Sequence, residues 1–143
     1  MSDMMDVVVQ GLNGRMGLAL WQAAQDADDL QIVGGVGMPG AALPPGCTVK
    51  LARSAEELGL EAEVLIDFSR PEATLAALAF ARAHRTGLVI GTTGFTPAQQ
   101  EEIDKAAREL PVVQAANFSV GVNVLLSLVR QAAAVMADAD IEI

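Results

Sequence analysis

Basic residues and cysteine are both scarce in this chain. Nine Lys and Arg stand against 18 Asp and Glu, which leaves a formal charge of −9 at pH 7. Such a chain repels phosphate backbones and anionic headgroups, so we expect neither a nucleic-acid nor a membrane partner. The single cysteine, Cys47, excludes an internal disulfide and favours a reducing compartment such as the cytoplasm. Because Cys47 has no neighbouring Cys or His, we expect a free thiol and no metal site.

Charged residues are absent from two stretches of about 20 residues, the usual length of a membrane span. Residues 30–49 contain several Gly and Pro, and residues 110–129 are interrupted by Pro111, Asn117 and Asn123. Neither stretch predicts one continuous lipid-facing helix. No basic segment followed by an apolar run opens the chain, so we expect no secretion signal.

Short runs rich in Val, Ile and Leu alternate with longer Ala-rich stretches of helical period. Apolar runs without polar alternation are typical of parallel strands that are covered on both faces. The sequence therefore predicts an α/β fold with a doubly wound parallel sheet, as one domain over residues 1–143. The predicted strands are residues 6–10, 31–36, 63–68, 87–91 and 111–115. The predicted helices are residues 15–27, 70–85, 97–109 and 120–137.

Capping chemistry marks several boundaries. A Ser or Thr followed three residues later by Glu or Gln predicts a helix start, because the hydroxyl accepts a bond from an otherwise free amide. Three such pairs occur: Ser54 with Glu57, Ser69 with Glu72, and Thr96 with Gln99. Gly and Pro predict a surface loop over residues 39–46, and residues 140–143 are typical of a beginning strand. The lone histidine, His84, lies near a predicted helix end, which favours a capping role over a catalytic one.

The most specific local pattern is a strand, a Gly-x-x-Gly-x-x-Gly turn and a helix across residues 7–17. In a dinucleotide site, Gly11 permits the tight turn, Gly14 the approach of a pyrophosphate, and Gly17 close packing of helix on strand. Arg15 is a cation in the first helical turn, where the helix dipole disfavours it, so a bound phosphate or ribose would explain it. Three glycines also suit an ordinary tight turn, but the flanking strand and helix favour a dinucleotide site of the Rossmann type.

One expected group is missing. A carboxylate about 20 residues beyond the glycines normally binds the adenosine ribose, and that position is Gly37 here. No Asp or Glu occurs between Leu30 and Ala55. Either backbone amides around Gly37 and Met38 hold the ribose, or the cofactor binds weakly.

Two further stretches follow predicted strands, where an open parallel sheet binds its ligands. Thr92 and Thr93, within residues 91–95, offer hydroxyls for a ribose or a nicotinamide amide. Asn117 and Phe118, within residues 115–119, offer an amide and an aromatic face for a planar ring. Each stretch taken alone is also compatible with an ordinary loop that caps the next helix.

Four motifs in this order resemble the dihydrodipicolinate reductase family: residues 14–17 (GRMG), 67–72 (DFSRPE), 89–95 (VIGTTGF) and 116–123 (ANFSVGVN). The resemblance covers nearly the whole chain but only the amino-terminal, cofactor-binding part of that family. It implies a Rossmann-type domain without the family's carboxy-terminal substrate domain. That domain carries a His-His-x-x-Lys stretch and a Ser-Gly-Thr stretch, and neither occurs in this sequence.

The resemblance implies an oxidoreductase that transfers a hydride from NADH or NADPH to 4-hydroxy-tetrahydrodipicolinate, giving tetrahydrodipicolinate and water in the diaminopimelate route to lysine. The implied cofactor-binding residues are Gly11, Leu12, Asn13, Gly14, Arg15, Met16, Gly91, Thr92, Thr93, Ala115, Ala116, Asn117 and Phe118. No residue of this chain is assigned a catalytic role. Family members usually carry an acidic residue at the position of Gly37, often followed by a basic one at Met38, so the choice between NADH and NADPH stays open.

The family forms homotetramers largely through the domain missing here, so we expect this chain to be a monomer or a weak dimer. We also expect it to bind the nicotinamide dinucleotide but to turn over little, since the dicarboxylate substrate needs the other domain. A non-catalytic nucleotide-binding or sensing module is the alternative, and another dehydrogenase of similar fold is a weaker one.

Overall fold

The computed structural model describes residues 4–136 as a single parallel sheet with helices on both faces. The strands are β1 (Met5–Gln10), β2 (Leu30–Val36), β3 (Lys50–Ala52), β4 (Val64–Asp67), β5 (Gly87–Ile90) and β6 (Val112–Gln114). The helices are α1 (Arg15–Ala24), α2 (Ala55–Leu58), α3 (Pro71–His84), α4 (Pro97–Ala106) and α5 (Val120–Val135). In space the strands follow the order β3-β2-β1-β4-β5-β6. This order is that of a doubly wound dinucleotide-binding sheet, the fold class that the sequence predicted.

The five predicted strands are confirmed to within one residue at each end. Strand β3 (KLA) and helix α2 (AEEL) were missed, because their few residues include charged side chains and show no apolar run. Strand β6 (VVQ) is as short as β3, but its two valines made it recognisable. Helices α1 and α4 each end three residues earlier than predicted. The chain beyond them continues through tighter bonds between residues three apart, such as Ala27 N to Ala24 O and Glu109 N to Ala106 O.

Strand β1 supplies core residues to both faces of the sheet. Val8 packs in a cluster with Phe80 of α3 and Ile103 of α4. Val7 and Val9 point to the opposite face, into the cluster that packs beside α1. All three valines are 1% exposed or less, which is why this strand shows no polar alternation.

The helix caps agree with the sequence in two cases and disagree in one. Thr96 and Gln99 form a complete capping box, and Ser54 accepts a bond from the amide of Glu57. The prediction for Ser69 is wrong, because α3 begins one residue later, with Arg70 as its N-cap. Ser69 Oγ instead donates a hydrogen bond to the carboxyl group of Asp67.

Helix α5 differs from the other long helices in that none of its residues is buried. Val120, Leu125 and Leu128 are 79%, 58% and 56% exposed. Apolar helices of globular proteins normally bury at least one of their faces against the core, so the exposed apolar surface of α5 is unusual. No helix within residues 4–136 combines the length and the hydropathy needed to cross a bilayer. The prediction for residues 140–143 lies outside the described residues.

Replacing Thr96 by Ala should lower the free energy of unfolding by about 1 kcal/mol, because the first turn of α4 loses its cap. Urea unfolding followed by circular dichroism measures the change. Thr48→Ala is the matched control, since Thr48 is exposed in a loop and should lose little stability. Equal losses in the two variants would contradict the capping role.

Candidate functional site

The direction in which the chain adds strands to the sheet reverses between β1 and β4. Chain order runs one way from β1 through β2 to β3, and the other way from β4 to β6. Because all six strands are parallel, the loops that follow β1, β4, β5 and β6 emerge at the same edge of the sheet. Open α/β sheets bind ligands in the crevice at this edge and at this change of direction.

The glycine turn after β1 is pressed against the loop after β4. Gly11 has a φ of +88°, and a Cβ atom there would collide with the carbonyl oxygen of Phe68. At Gly17 a Cβ atom would collide with the carbonyl oxygens of Leu12 and Gly11, so helix and turn are in direct contact. The tight turn predicted for Gly11 and the close packing predicted for Gly17 are both present.

Helix α1 begins without a cap. Its N-cap residue, Gly14, has no side chain to bond the first turn, and its own amide donates to Gly11 O at 2.9 Å. The amides of Arg15 and Met16 therefore have no acceptor within the helix. Both residues are exposed, and no acidic residue lies in the first turn. Free amides, the positive end of the helix dipole and a guanidinium together suit a bound anion.

A cleft of about 270 Å³ adjoins this helix start. One wall is the glycine turn with Asn13 and Arg15, and the other is the Ala-Pro segment of residues 42–45. Trp21 Nε1 donates to the carbonyl of Pro45 at 3.3 Å, which ties that segment to α1. The loop predicted over residues 39–46 thus forms part of the cleft.

A buried carboxyl group joins the loops at this edge. Asp67, at the end of β4, is 0% exposed. Its Oδ1 accepts hydrogen bonds from Gln10 Nε2 at 3.1 Å and from Ser69 Oγ at 2.5 Å. Its Oδ2 accepts from Thr74 Oγ1 at 2.5 Å and from Thr92 Oγ1 at 3.1 Å. Thr92 Oγ1 also accepts from the amide of Ser69 at 2.9 Å, so the loops after β4 and β5 are bonded to each other.

Two aromatic rings lie over the same edge. The ring of Phe68 covers Gly91, where a Cβ atom would collide with it. Phe118, in the loop after β6, meets Phe68 edge to face, with ring centroids 6.0 Å apart. Phe118 is 40% exposed, so part of its ring is available to a ligand. The Oδ1 atom of Asn117 accepts from the amide of Ser119 at 2.7 Å and shapes the turn before α5.

The segments that contain the predicted site residues all lie at this edge, but two side chains point away from the surface. Leu12 is 0% exposed and packs in the core with Val7 and Val9. The hydroxyl of Thr92 is turned inward to Asp67, whereas Thr93 is exposed. The prediction of a surface hydroxyl therefore suits Thr93 and not Thr92.

Sequence reasoning did not include the loop after β4 among the candidate site residues. Asp67, Phe68 and Ser69 follow a buried strand in the same way as the loops after β5 and β6. That placement was the available signal.

His84 ends α3 at the opposite edge of the sheet, where it stacks on Phe80 with ring centroids 4.4 Å apart. Within residues 4–136 no three His, Cys, Asp or Glu side chains are grouped as metal ligands are.

The strand order and the uncapped glycine turn at the change of direction define a nucleotide-binding domain of the Rossmann type. Family models identify this domain more closely. The model described as "Dihydrodipicolinate reductase, N-terminus" matches residues 5–118. The chain therefore belongs to the dihydrodipicolinate reductase family, and it corresponds to the amino-terminal, nucleotide-binding part of that family. Family and fold together imply a nicotinamide dinucleotide cofactor.

Solved structures show the same fold. The dipicolinate-bound dihydrodipicolinate reductase from Paenisporosarcina sp. TG-14 superposes with a TM-score of 0.79 at 22% identity, over 92% of this chain. A myo-inositol 2-dehydrogenase from Lactobacillus plantarum has a TM-score of 0.67 at 11% identity, over 90% of this chain and 42% of its own length. The homoserine dehydrogenase of S. aureus has a TM-score of 0.56 at 14% identity, over 78% of this chain and 32% of its own length. This chain spans 54% of the length of the Paenisporosarcina reductase.

Replacing Thr92 by Val should lower the free energy of unfolding by about 1–3 kcal/mol, because Asp67 loses a buried donor and the Ser69 amide loses its acceptor. Thr92→Ser keeps the hydroxyl and should lose less. Urea unfolding of both variants gives the comparison. A valine variant as stable as the serine variant would contradict the role of the hydroxyl.

Proposed function

We propose that this chain binds NADH or NADPH across the edge of the sheet where β1 and β4 diverge. Its function is to present the reduced cofactor for the conversion of 4-hydroxy-tetrahydrodipicolinate to tetrahydrodipicolinate, in the diaminopimelate route to lysine. The observation that supports this best is the convergence of four loops on one edge, with direct contacts between neighbouring loops. A dinucleotide needs such a continuous surface, because its two ends lie far apart.

The residues at this edge suit the parts of the cofactor. The free amides of Arg15 and Met16 bind the pyrophosphate, and the guanidinium of Arg15 adds positive charge there. Thr93, the exposed Asn117 and the free part of the Phe118 ring flank the nicotinamide end. The bound cofactor supplies the hydride, and the protein supplies binding, orientation and shielding from water.

Substrate binding and proton donation are assigned to a second domain. The sole histidine, His84, is at the opposite edge of the sheet from the glycine turn, so it is not placed to protonate a substrate there. The Paenisporosarcina reductase is nearly twice as long as the matched region, which leaves room for such a domain in the family. We place the protein in the cytoplasm, consistent with its single free thiol at Cys47, and expect the isolated chain to be a monomer or a weak dimer.

Replacing Gly14 by Ala should raise the Kd for NADH about tenfold or more, because a methyl group would stand where the backbone meets the pyrophosphate. The backbone there has a φ of −91°, which alanine adopts, and a Cβ atom would lie 3.2 Å from Gly11 O, so the fold should persist with a small local shift. Isothermal titration calorimetry measures the Kd. Gly87→Ala is the matched control, because Gly87 begins β5 at the far edge and a Cβ atom there has no neighbour closer than 3.4 Å. Unchanged NADH binding by the Gly14 variant would contradict the pyrophosphate site.

The purified chain should bind the cofactor but show little or no reductase turnover with 4-hydroxy-tetrahydrodipicolinate. The reason is that we assign binding of the dicarboxylate to the second domain and not to this edge of the sheet. Loss of absorbance at 340 nm with NADH and with NADPH measures turnover. Robust turnover by the chain alone would refute the proposed division between two domains.

A further inference from the structure

The adenosine end of the proposed site lacks the carboxylate that usually binds the ribose. In dinucleotide-binding sheets a carboxylate at the end of the second strand binds the ribose hydroxyls. Here that position is Gly37, directly after β2, and its amide donates to the carbonyl of Ala52 at 2.9 Å. The backbone at Gly37 is therefore held in place, but it carries no side chain.

The side chain of Asn13 occupies the space that a side chain at position 37 would need. A Cβ atom on Gly37 would lie 3.1 Å from Asn13 Cγ and would collide with Asn13 Oδ1. On the other side it would lie 3.3 Å from Leu51 Cδ1. The amide of the glycine turn thus replaces, in three dimensions, the side chain that the second strand lacks.

The Asn13 amide is also available to a ligand. It makes no side-chain hydrogen bond to another residue in the described part of the chain, although Asn13 is half-buried. It lines the cleft of about 270 Å³ together with Arg15 and residues 42–45. A side-chain amide has two donor hydrogens and one acceptor oxygen, which suits a pair of ribose hydroxyls.

We propose that Asn13 recognises the 2′ position of the adenosine ribose in place of the missing carboxylate, and that its neutrality allows this chain to accept both NADH and NADPH. This inference rests on the proposed function. A carboxylate binds ribose hydroxyls but repels a 2′-phosphate, because both carry negative charge. The Asn13 Nδ2 donates to a hydroxyl and to a phosphate oxygen alike. Arg15, in the same cleft, adds a positive charge that favours a 2′-phosphate.

The test compares Kd values for NADH and NADPH, measured by calorimetry at fixed salt. The wild-type chain should bind the two within about tenfold of each other, a difference of about 1.4 kcal/mol. Asn13→Asp changes the charge with almost no change in shape. It should raise the ratio of the NADPH Kd to the NADH Kd about tenfold or more, because like charges then meet. Asn13→Ala should weaken NADH by about two- to tenfold, since the ribose loses one neutral hydrogen bond. It should weaken NADPH somewhat more, since a bond to a charged phosphate oxygen is stronger, and the rise in the ratio should stay below that of Asn13→Asp.

Gln22→Glu is the charge-matched control. Gln22 is exposed on α1, and seven residues beyond Arg15 it lies about 10 Å along the helix. It adds the same unit charge about one Debye length from the cleft, so the Kd ratio should stay unchanged. A ratio that moves equally in Asn13→Asp and Gln22→Glu would show a general charge effect and overturn the proposal.

A double variant tests the shared space directly. Asn13→Ala with Gly37→Glu removes the amide and supplies the usual carboxylate, so it should select NADH over NADPH. Gly37→Glu alone must first displace the Asn13 side chain and should select NADH less strongly. Thermal unfolding checks that each variant is folded.

Failure of this inference can be told from failure of the proposed function. If the wild-type chain binds both nucleotides but no Asn13 variant changes either Kd or their ratio, backbone amides hold the ribose and the assignment of Asn13 is wrong. If the folded wild-type chain binds neither NADH nor NADPH, the proposed function itself is wrong.

Discussion

The candidate site depends on the hydrogen bonds that the carboxyl group of Asp67 accepts. This group lies in the core at the end of β4, with no solvent exposure, and its hydrogen bonds come from neutral donors on β1, α3 and two loops. A buried carboxylate is costly unless its lone pairs are bonded. Here both oxygens have two donors each, so the burial cost is offset by bonds that also fix the positions of the donors.

The consequence is an edge whose shape is set before any ligand arrives. Gln10 ends the strand that precedes the glycine turn, and Thr92 lies in the loop after β5. Because both donate to Asp67, the two loops cannot shift independently without leaving a buried acceptor unpaired. Phe68 links further parts of the edge, since its carbonyl contacts Gly11 and its ring contacts Gly91 and Phe118. A preformed surface of this kind lowers the entropy cost of binding a long, flexible dinucleotide.

The sequence predicted the sheet well because its central strands are covered on both faces. Val7, Val8 and Val9 form an apolar run for that reason, and runs of this kind identified all five predicted strands. The edge strand β3 begins with the charged Lys50 and gave no comparable run, whereas the equally short edge strand β6 has two valines. Ser69 shows a different limit. A capping pattern within four residues predicted its partner, but the acceptor that it contacts is the buried Asp67, whose environment is set by residues distant in the sequence.

The candidate site divides in the same way between local and distant information. The glycine turn was predictable because tight turn, close packing and free amides are properties of seven consecutive residues. The sequence also showed that position 37, at the end of β2, has no carboxylate. It could not show that Asn13, 24 positions earlier, fills the same volume, because that relation exists only once β1 and β2 pair in the observed register. Motif patterns treat each position separately. A pattern therefore misses a role that has passed from the end of one strand to the turn after the neighbouring strand, although the two positions are adjacent in space.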